Sequence, residues 1–291
     1  MTISADAFQF LRRFVFERSA IQLDEGKEYL VETRLGPIAR AEGLADVDAL
    51  VAALRSTPRS PLATAVIDAM TTNETSFFRD IRPFDALRTE ILPDVIARRQ
   101  STRSLTIWSA ASSTGQEAYS IAIVIREHFP ELANWNVKIL GTDLSTEVVA
   151  KAKSAQYTQL EVGRGLPTPL MLKYFAREGR FFTVAPAVRS LVEFRTMNLC
   201  DPLTSIGRPD IVFLRNVLIY FDLPTRERIL QRTCTQMASD GWLLLGAGET
   251  ILNMDVPLTR QEIGGTSCLR PTAAGSAQTA PKGPDERLRA A

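Results

Sequence analysis

The chain has 291 residues, which is enough for two domains or for one domain with a substantial appendage. Its hydrophobic content of 45% and charged content of 23% are ordinary for a globular enzyme. The net charge of +1 provides no overall field of the kind that recruits nucleic acid or an anionic membrane, so we expect neither as a partner.

Residues 1–70 predict a small all-helical domain. Helical apolar spacing begins near the N-terminus and returns near 25–42, 46–55 and 62–70. The pattern near 25–42 interleaves basic and acidic side chains.

Residues 71–103 predict a linker between the helical domain and a sheet. The linker starts with TTNETSFFRD (71–80), called here the junction segment, in which polar side chains surround Phe77 and Phe78. One interpretation is a plain linker whose two aromatic rings fill a seam between domains. The other is a segment that closes a binding site, and composition alone leaves both open.

From residue 104 the pattern changes to strands that alternate with helices, and residues 104–270 predict a single domain. Strands are predicted at 105–110, 137–145, 192–199, 210–216 and 242–249, with helices at 119–129, 145–154 and 224–239. This alternation is typical of a Rossmann-like, doubly wound, mostly parallel α/β sheet. Such sheets bind ligands at the carboxyl ends of their strands.

Two stretches depart from this alternation. Between about 155 and 190, glycines, prolines and short aromatic segments predict an inserted, loop-rich or small antiparallel β-subdomain. Residues 271–291 are rich in Ala, Gly, Pro and charge without an apolar period, so we expect a disordered tail.

Polar residues follow the first two predicted strands. SAASSTGQEAYS (109–120) is a turn of small residues that would let a ligand approach the backbone, with Glu117 just beyond it; an ordinary strand-to-helix connection is the alternative. Asp143 ends the second strand, where a carboxylate can accept two hydrogen bonds from a ribose. Asp143 could instead cap the next helix, although Ser145 is also placed to do so.

A third polar group ends a buried strand in LRNVLIYF (214–221). Arg215, Asn216 and Tyr220 would cost a few kcal/mol each if they were buried without partners. They therefore need a ligand or a hydrogen-bond network.

Histidine and cysteine usage limits the chemistry further. One histidine, His128, excludes a histidine-rich metal site and most triad chemistry. The three cysteines form neither a metal pattern nor a disulfide framework. No signal-peptide pattern and no membrane-length apolar run occurs, so we expect a cytoplasmic protein without a metal and without membrane insertion.

Five segments in order carry a resemblance to a known family. TTNETSFFRD, WSAASSTGQEAYSIA, GTDLS, the Asn-Leu pair at 198–199 and RNVLIYF resemble the CheR-type chemotaxis receptor methyltransferases, and the likeness extends to about residue 270. Those enzymes use S-adenosylmethionine to esterify glutamate side chains of methyl-accepting chemotaxis proteins, with S-adenosylhomocysteine as the other product. The resemblance implies a class I methyltransferase-type fold with a helical N-terminal domain and an inserted antiparallel β-subdomain.

The resemblance also implies the site. It assigns cofactor binding to Asn73, Thr75, Arg79, Glu117, Asp143, Asn198, Leu199, Arg215 and Asn216. It places Arg79 and Tyr220 close to the transferred methyl group and the substrate carboxylate. The chain departs from the family pattern at Gln116 and Ala118, and in GAGE (246–249), which keeps its glutamate but lacks a polar neighbour.

The resemblance implies the cytoplasmic helices of chemotaxis receptors as the partner, docked on a basic helix of the N-terminal domain. Because the charges near 25–42 are mixed here, a solvated, salt-bridged surface is equally favoured for that helix. Residues 161–175 are similar to the family version that does not grip a C-terminal receptor pentapeptide, and we expect a monomer. A glutamate carboxylate is ionised at neutral pH, so no general base is required, which is consistent with a single histidine. Two alternatives remain: a methyltransferase for another substrate, and a non-catalytic S-adenosylmethionine-binding signalling module.

Overall fold

The computed structural model describes residues 3–272. Its α-helices are α1 (Ala5–Ser19), α2 (Glu28–Ala41), α3 (Val47–Ser56), α4 (Pro61–Met70), α5 (Arg82–Ala86), α6 (Leu92–Arg99), α7 (Gln116–His128), α8 (Thr146–Ser154), α9 (Gln159–Gly163), α10 (Thr168–Tyr174), α11 (Pro186–Arg189) and α12 (Leu223–Gln236). Its strands are β1 (Ser104–Ala110), β2 (Asn136–Asp143), β3 (Gln156–Thr158), β4 (Phe175–Glu178), β5 (Phe181–Val184), β6 (Val192–Thr196), β7 (Ile211–Leu214), β8 (Trp242–Leu245), β9 (Leu258–Ile263) and β10 (Thr266–Pro271). Within residues 3–272, no helix is long and apolar enough to cross a membrane, and no group of acidic, histidine or cysteine side chains is arranged to hold a metal. All but two residues of the predicted tail lie outside the described residues.

Helices α1 to α4 form a bundle with a core of its own, which includes the fully buried Leu11, Leu35 and Leu50. Hydroxyl or carboxylate side chains accept the free N–H groups at the start of α1, α3 and α4. The bundle is tied to the junction segment by Arg34 of α2. Its guanidinium donates to the carbonyls of Met70 and Thr71, both at 2.9 Å, and to the Thr72 hydroxyl at 3.1 Å.

The stretch between the bundle and the first strand contains more structure than a linker. Helices α5 and α6 are joined by a π-helical turn at Leu87–Ile91. Phe84, Leu87 and Val95 are buried along one side and pack against the sheet. This helical stretch therefore covers part of the sheet that follows it.

The main sheet has the order β6-β2-β1-β7-β8-β10-β9. The first five strands in this order are parallel, and β10 runs antiparallel to both β8 and β9. Central β1 places Ile107 beside Ile139 of β2 and Ile211 of β7. This topology confirms the predicted Rossmann-like, mostly parallel sheet.

Both faces of this sheet are buried, which is why its central strands are almost continuously apolar. Ile107 and Ile139 lie in a core shared with α5 to α8. Trp108 and Leu140, one residue further along each strand, lie in a second core shared with α12. The alternation places helices on both sides and leaves the carboxyl ends of the strands for loops.

A small antiparallel sheet of order β3-β5-β4 is inserted between α8 and β6, which confirms the predicted β-subdomain. It packs against the junction segment, since the Phe77 ring lies edge-on to Tyr157 at 5.0 Å and to Phe175 at 5.4 Å between centroids. Gly165 has a φ of +88°, and a Cβ there would lie 2.1 Å from the Phe77 carbonyl oxygen. Only glycine fits this contact.

Candidate active site

A cavity, called here the cofactor cavity, lies at the carboxyl ends of β1, β2 and β7. It is closed on the other side by the junction segment and by the end of α1. All ten residues proposed from the sequence line it: Asn73, Thr75, Arg79, Glu117, Asp143, Asn198, Leu199, Arg215, Asn216 and Tyr220. The fold thus brings together side chains from five separate segments.

Asp143 is buried at the end of β2, where backbone groups orient its carboxylate. One oxygen accepts the N–H of Ser113 at 2.8 Å and the other accepts the N–H of Ser145 at 3.0 Å. Burial raises the pKa of Asp143 above its ordinary value, and these backbone hydrogen bonds oppose the shift. Ser145 caps α8, so Asp143 is not the helix cap, and its remaining lone pairs can accept hydrogen bonds from a ligand.

The turn after β1 is held in an uncommon backbone conformation. Ala111 and Ser113 have φ values of +54° and +48°, which are rare for residues with side chains. The Ser113 hydroxyl donates to the carbonyl of Asn73 at 2.8 Å and so joins the turn to the junction segment. The buried hydroxyl of Ser112 has no hydrogen-bond partner among the described residues, although it lines the cavity. A buried hydroxyl without a partner is suited to bonding a ligand there.

Arg215 is the centre of a buried ionic network. Its side chain is 1% exposed and donates to Glu117 at 2.9 Å, to the Asp80 carboxylate at 3.0 Å and to the Arg79 carbonyl at 2.9 Å. Glu117 also accepts from the Ser109 hydroxyl at 2.7 Å. Arg215 therefore connects the strand ends to the junction segment. Its Nε has no partner in the described chain, which leaves one donor for a ligand.

Arg79 and Tyr220 lie in the wall of the cofactor cavity on different loops. The Arg79 guanidinium donates to the Glu74 carbonyl at 2.8 Å, within the junction segment. Tyr220 is half-buried in a short 3-10 turn, and its carbonyl accepts the N–H of Gln22 at 3.1 Å. Its hydroxyl has no partner among residues 3–272, so this donor is free to meet a substrate.

Asn198 and Leu199 contribute differently from a simple pair of ligand contacts. The Asn198 amide donates to the Arg18 carbonyl at 2.7 Å, and its oxygen accepts the N–H of Cys200 at 2.9 Å. The side chain therefore connects the sheet to the end of α1. Leu199 is buried and gives the cavity an apolar surface.

Glu249 is a residue to which the sequence analysis assigned no role. Its carboxylate accepts four backbone N–H groups at 2.7–2.9 Å, from Asn216, Val217, Leu218 and Gly246. The first three follow β7, where Asn216 has a φ of +57°. β7 and β8 both end earlier than predicted, because the residues after them turn toward this carboxylate. The available signal was a glutamate placed just after a buried strand.

Two family models and several curated proteins are similar to the chain. The model of the CheR methyltransferase SAM binding domain matches residues 73–264, and that of the CheR methyltransferase all-alpha domain matches residues 6–71. Chemotaxis protein methyltransferase Cher2 of Pseudomonas putida is 40% identical over 84% of this chain and 90% of its own length. Chemotaxis protein methyltransferase 1 of Pseudomonas aeruginosa is 41% identical over 85% and 91%, and a chemotaxis protein methyltransferase of Vibrio parahaemolyticus is 38% identical over 87% and 92%.

Proposed function

The chain belongs to the CheR methyltransferase family, and from this premise we propose that it methylates glutamate side chains of chemotaxis receptors. The methyl donor is S-adenosylmethionine, and the products are a glutamate methyl ester and S-adenosylhomocysteine. The observation that carries the proposal is the single cavity shared by Asp143, Arg79 and Tyr220. Asp143 can accept hydrogen bonds from a ribose, and Arg79 and Tyr220 are suited to bind a substrate carboxylate.

The residues present fit the cofactor. Asp143 and Glu117 offer carboxylate oxygens for hydroxyl and amino groups, and Leu199 offers an apolar wall. Ser112 and Arg215 each supply a buried donor without a protein partner in the described chain. Asn73, Thr75, Asn198 and Asn216 complete the proposed binding set. The bound cofactor supplies an electrophilic methyl group on a sulfonium.

The proposed mechanism needs positioning rather than proton transfer. The substrate carboxylate is already ionised, and one of its oxygens forms a bond to the methyl carbon. The bound cofactor would give up this methyl group and keep the electron pair of the carbon–sulfur bond, so no proton would need to move. Arg79 orients the carboxylate and Tyr220 donates a hydrogen bond to it. The junction segment excludes water from the reacting pair, which strengthens their attraction.

The partner and setting form part of the same proposal. We propose that the chain acts as a monomer in the cytoplasm on receptor helices, without gripping a C-terminal receptor pentapeptide and without binding nucleic acid. The net charge of +1 supports the absence of nucleic-acid binding. Residues 161–175 support the absence of a pentapeptide grip. Titration with a receptor C-terminal pentapeptide should give no binding at millimolar concentration.

The test is a transfer assay with methyl-labelled S-adenosylmethionine and the purified cytoplasmic domain of a chemotaxis receptor from the same cell. We expect label in the receptor that is released by mild alkali, as methyl esters are, and loss of labelling when the accepting glutamates are replaced by alanine. Turnover to S-adenosylhomocysteine without receptor labelling would indicate another substrate. Cofactor binding without turnover in a cell extract would indicate a non-catalytic module.

A further inference from the structure

A second cavity, of about 1070 Å³, lies beside the cofactor cavity and is called here the arginine cavity. Its walls are Asp80, Arg82, Pro83, the loop 245–251 and part of the hairpin of β9 and β10. It adjoins the site of methyl transfer through two contacts already described. Asp80 in its wall bonds Arg215, and Glu249 in its wall bonds the backbone of Asn216.

The two acids and two arginines that line the arginine cavity sum to zero charge, but they differ in their partners. Asp80 is paired with Arg215, and Glu249 is occupied by four backbone N–H groups. Arg82 and Arg260 are both exposed, and neither has a hydrogen bond or an ion pair with any of residues 3–272. The cavity therefore presents two free guanidinium groups, which favour a carboxylate as the bound group.

The turn between β9 and β10 contacts Arg82. Gly264 and Gly265 have φ values of +54° and +74°, the conformation of a tight two-residue hairpin turn. A Cβ built on Gly265 would lie 3.6 Å from a terminal nitrogen of Arg82, so the guanidinium lies against the turn. Arg260 stands opposite Leu269 in the hairpin, and both line the cavity. Arg82 thus comes from α5 and Arg260 from β9.

The surroundings favour a protein rather than a small free anion. Ile81, Ile219 and Leu252 are large apolar residues that are 51%, 49% and 72% exposed. Ile81 separates Asp80 from Arg82, Ile219 precedes Tyr220, and Leu252 follows a residue that lines the arginine cavity. Exposed apolar residues close to a charged cavity are typical of a protein-binding surface.

We propose that the arginine cavity is a subsite for a second carboxylate of the receptor, an aspartate or glutamate side chain near the glutamate that is methylated. The inference rests on the proposed function, because a receptor must be the substrate. Arg82 and Arg260 bind this second carboxylate and so select which receptor glutamates enter the cofactor cavity. They make no contact with the reacting atoms.

The test compares Arg82→Gln, Arg260→Gln and the double variant in the receptor assay at low and high salt. We expect the receptor KM to rise about 3-fold for each single variant and about 10-fold for the double variant at low ionic strength, values typical of partly exposed ion pairs. The differences shrink in high salt because exposed charges are screened. Turnover at saturating receptor and affinity for S-adenosylhomocysteine change much less.

Arg208→Gln is the matched control. Arg208 is also exposed and unpaired in the described chain. It lies just before β7, at the amino ends of the parallel strands, away from the cavities at their carboxyl ends. Receptor binding to the S-adenosylhomocysteine complex is measured in parallel, so that affinity is read without turnover. A double variant that matches Arg208→Gln in both assays overturns the subsite, provided that wild-type protein methylates the receptor.

The remaining outcomes separate the two proposals. A wild-type protein that leaves the receptor unlabelled overturns the proposed function, and the subsite with it. Inhibition by inorganic phosphate at low millimolar concentration that disappears in the double variant assigns the cavity to a small anion instead. Restored labelling when Arg82→Glu is combined with a receptor lysine beside the methylated glutamate supports direct pairing.

Discussion

The backbone N–H of Asn216 donates to the carboxylate of Glu249 at 2.8 Å, across 33 positions of the sequence. Three further N–H groups reach the same carboxylate, so one side chain determines the path of the turn after β7. That turn carries Asn216 into the cofactor cavity and leads directly to Tyr220. The positions of Asn216 and Tyr220 therefore depend on Glu249, which lies outside the turn.

Glu249→Gln should loosen this turn. An amide accepts on only one oxygen, and its NH₂ group would face backbone donors, leaving at least two of them without a partner at a cost of about 1–3 kcal/mol each. We expect kcat/KM for receptor methylation to fall by about 10- to 100-fold, and urea unfolding to show lower stability. Glu262→Gln, an exposed residue on β9, is the control. Wild-type kinetics in Glu249→Gln would contradict a positioning role.

Arg215→Lys should destabilise the protein despite keeping the charge. A lysine cannot reach Glu117, Asp80 and the Arg79 carbonyl at once from a site that is 1% exposed. Breaking a buried pair costs about 3–5 kcal/mol, and the retained charge should keep the loss near the lower end. Urea denaturation measures this loss. Arg164→Lys, in an exposed pair with Glu74, should change stability by less than about 0.5 kcal/mol.

Asp143→Asn should weaken cofactor binding by about 10- to 100-fold, because an amide offers a ribose one acceptor oxygen and removes the charge. Calorimetric titration with S-adenosylhomocysteine measures the change. Since burial raises the pKa of Asp143, wild-type affinity should begin to fall on acidification at a higher pH than an exposed aspartate would cause. Asp143→Asn should not show this fall in affinity on acidification. An identical pH profile in both proteins would exclude Asp143 as the titrating group.

The same pKa shift predicts how Asp143 affects stability. The folded protein binds this proton more tightly than the unfolded chain does. The contribution of the group is therefore fully present below the unfolded pKa and is lost as pH rises through the folded pKa. Denaturation of wild type and Asp143→Asn across acidic pH should show this loss only in wild type. Parallel curves would mean that the folded and unfolded pKa values are equal.

Arg79→Ala and Tyr220→Phe test the reaction itself. We expect Arg79→Ala to reduce receptor methylation by at least about 100-fold, because the substrate carboxylate loses its orienting group. Tyr220→Phe removes one hydrogen bond and should lower kcat by about 10-fold, with little effect on S-adenosylhomocysteine affinity. If Arg79→Ala retains both cofactor affinity and normal transfer, its assignment is wrong.

Sequence pattern was sufficient for β7, β8 and most of β1 because these strands are buried on both faces and read as apolar runs. It missed both β9 and β10. The four central residues of β9 are exposed and carry no alternation. It also missed the helical stretch at 82–99, although Phe84, Leu87 and Ile91 recur at helical spacing there. Proline at both helix starts made the stretch resemble a linker.

The position of Asp143 and Glu117 at the cofactor cavity was predictable, because Asp143 ends β2 and Glu117 follows the turn after β1. The site was less predictable where the partner is distant in sequence. Arg215 bonds Glu117 across 98 positions, and Asn198 bonds Arg18 across 180. Strand-end rules give the location of such residues, but only the packing of the domains shows which donors remain free for a ligand.

Arg34 links the helical bundle to the junction segment. Its guanidinium crosses the boundary at which the two family models meet, and it bonds the residues that lead into Asn73. A fragment cut at this boundary would keep every residue that lines the strand ends, but the amino end of its junction segment would lose the hydrogen bonds from Arg34. We therefore expect residues 73–272 without α2 to hold the amino end of the junction segment less firmly than the chain that includes α2.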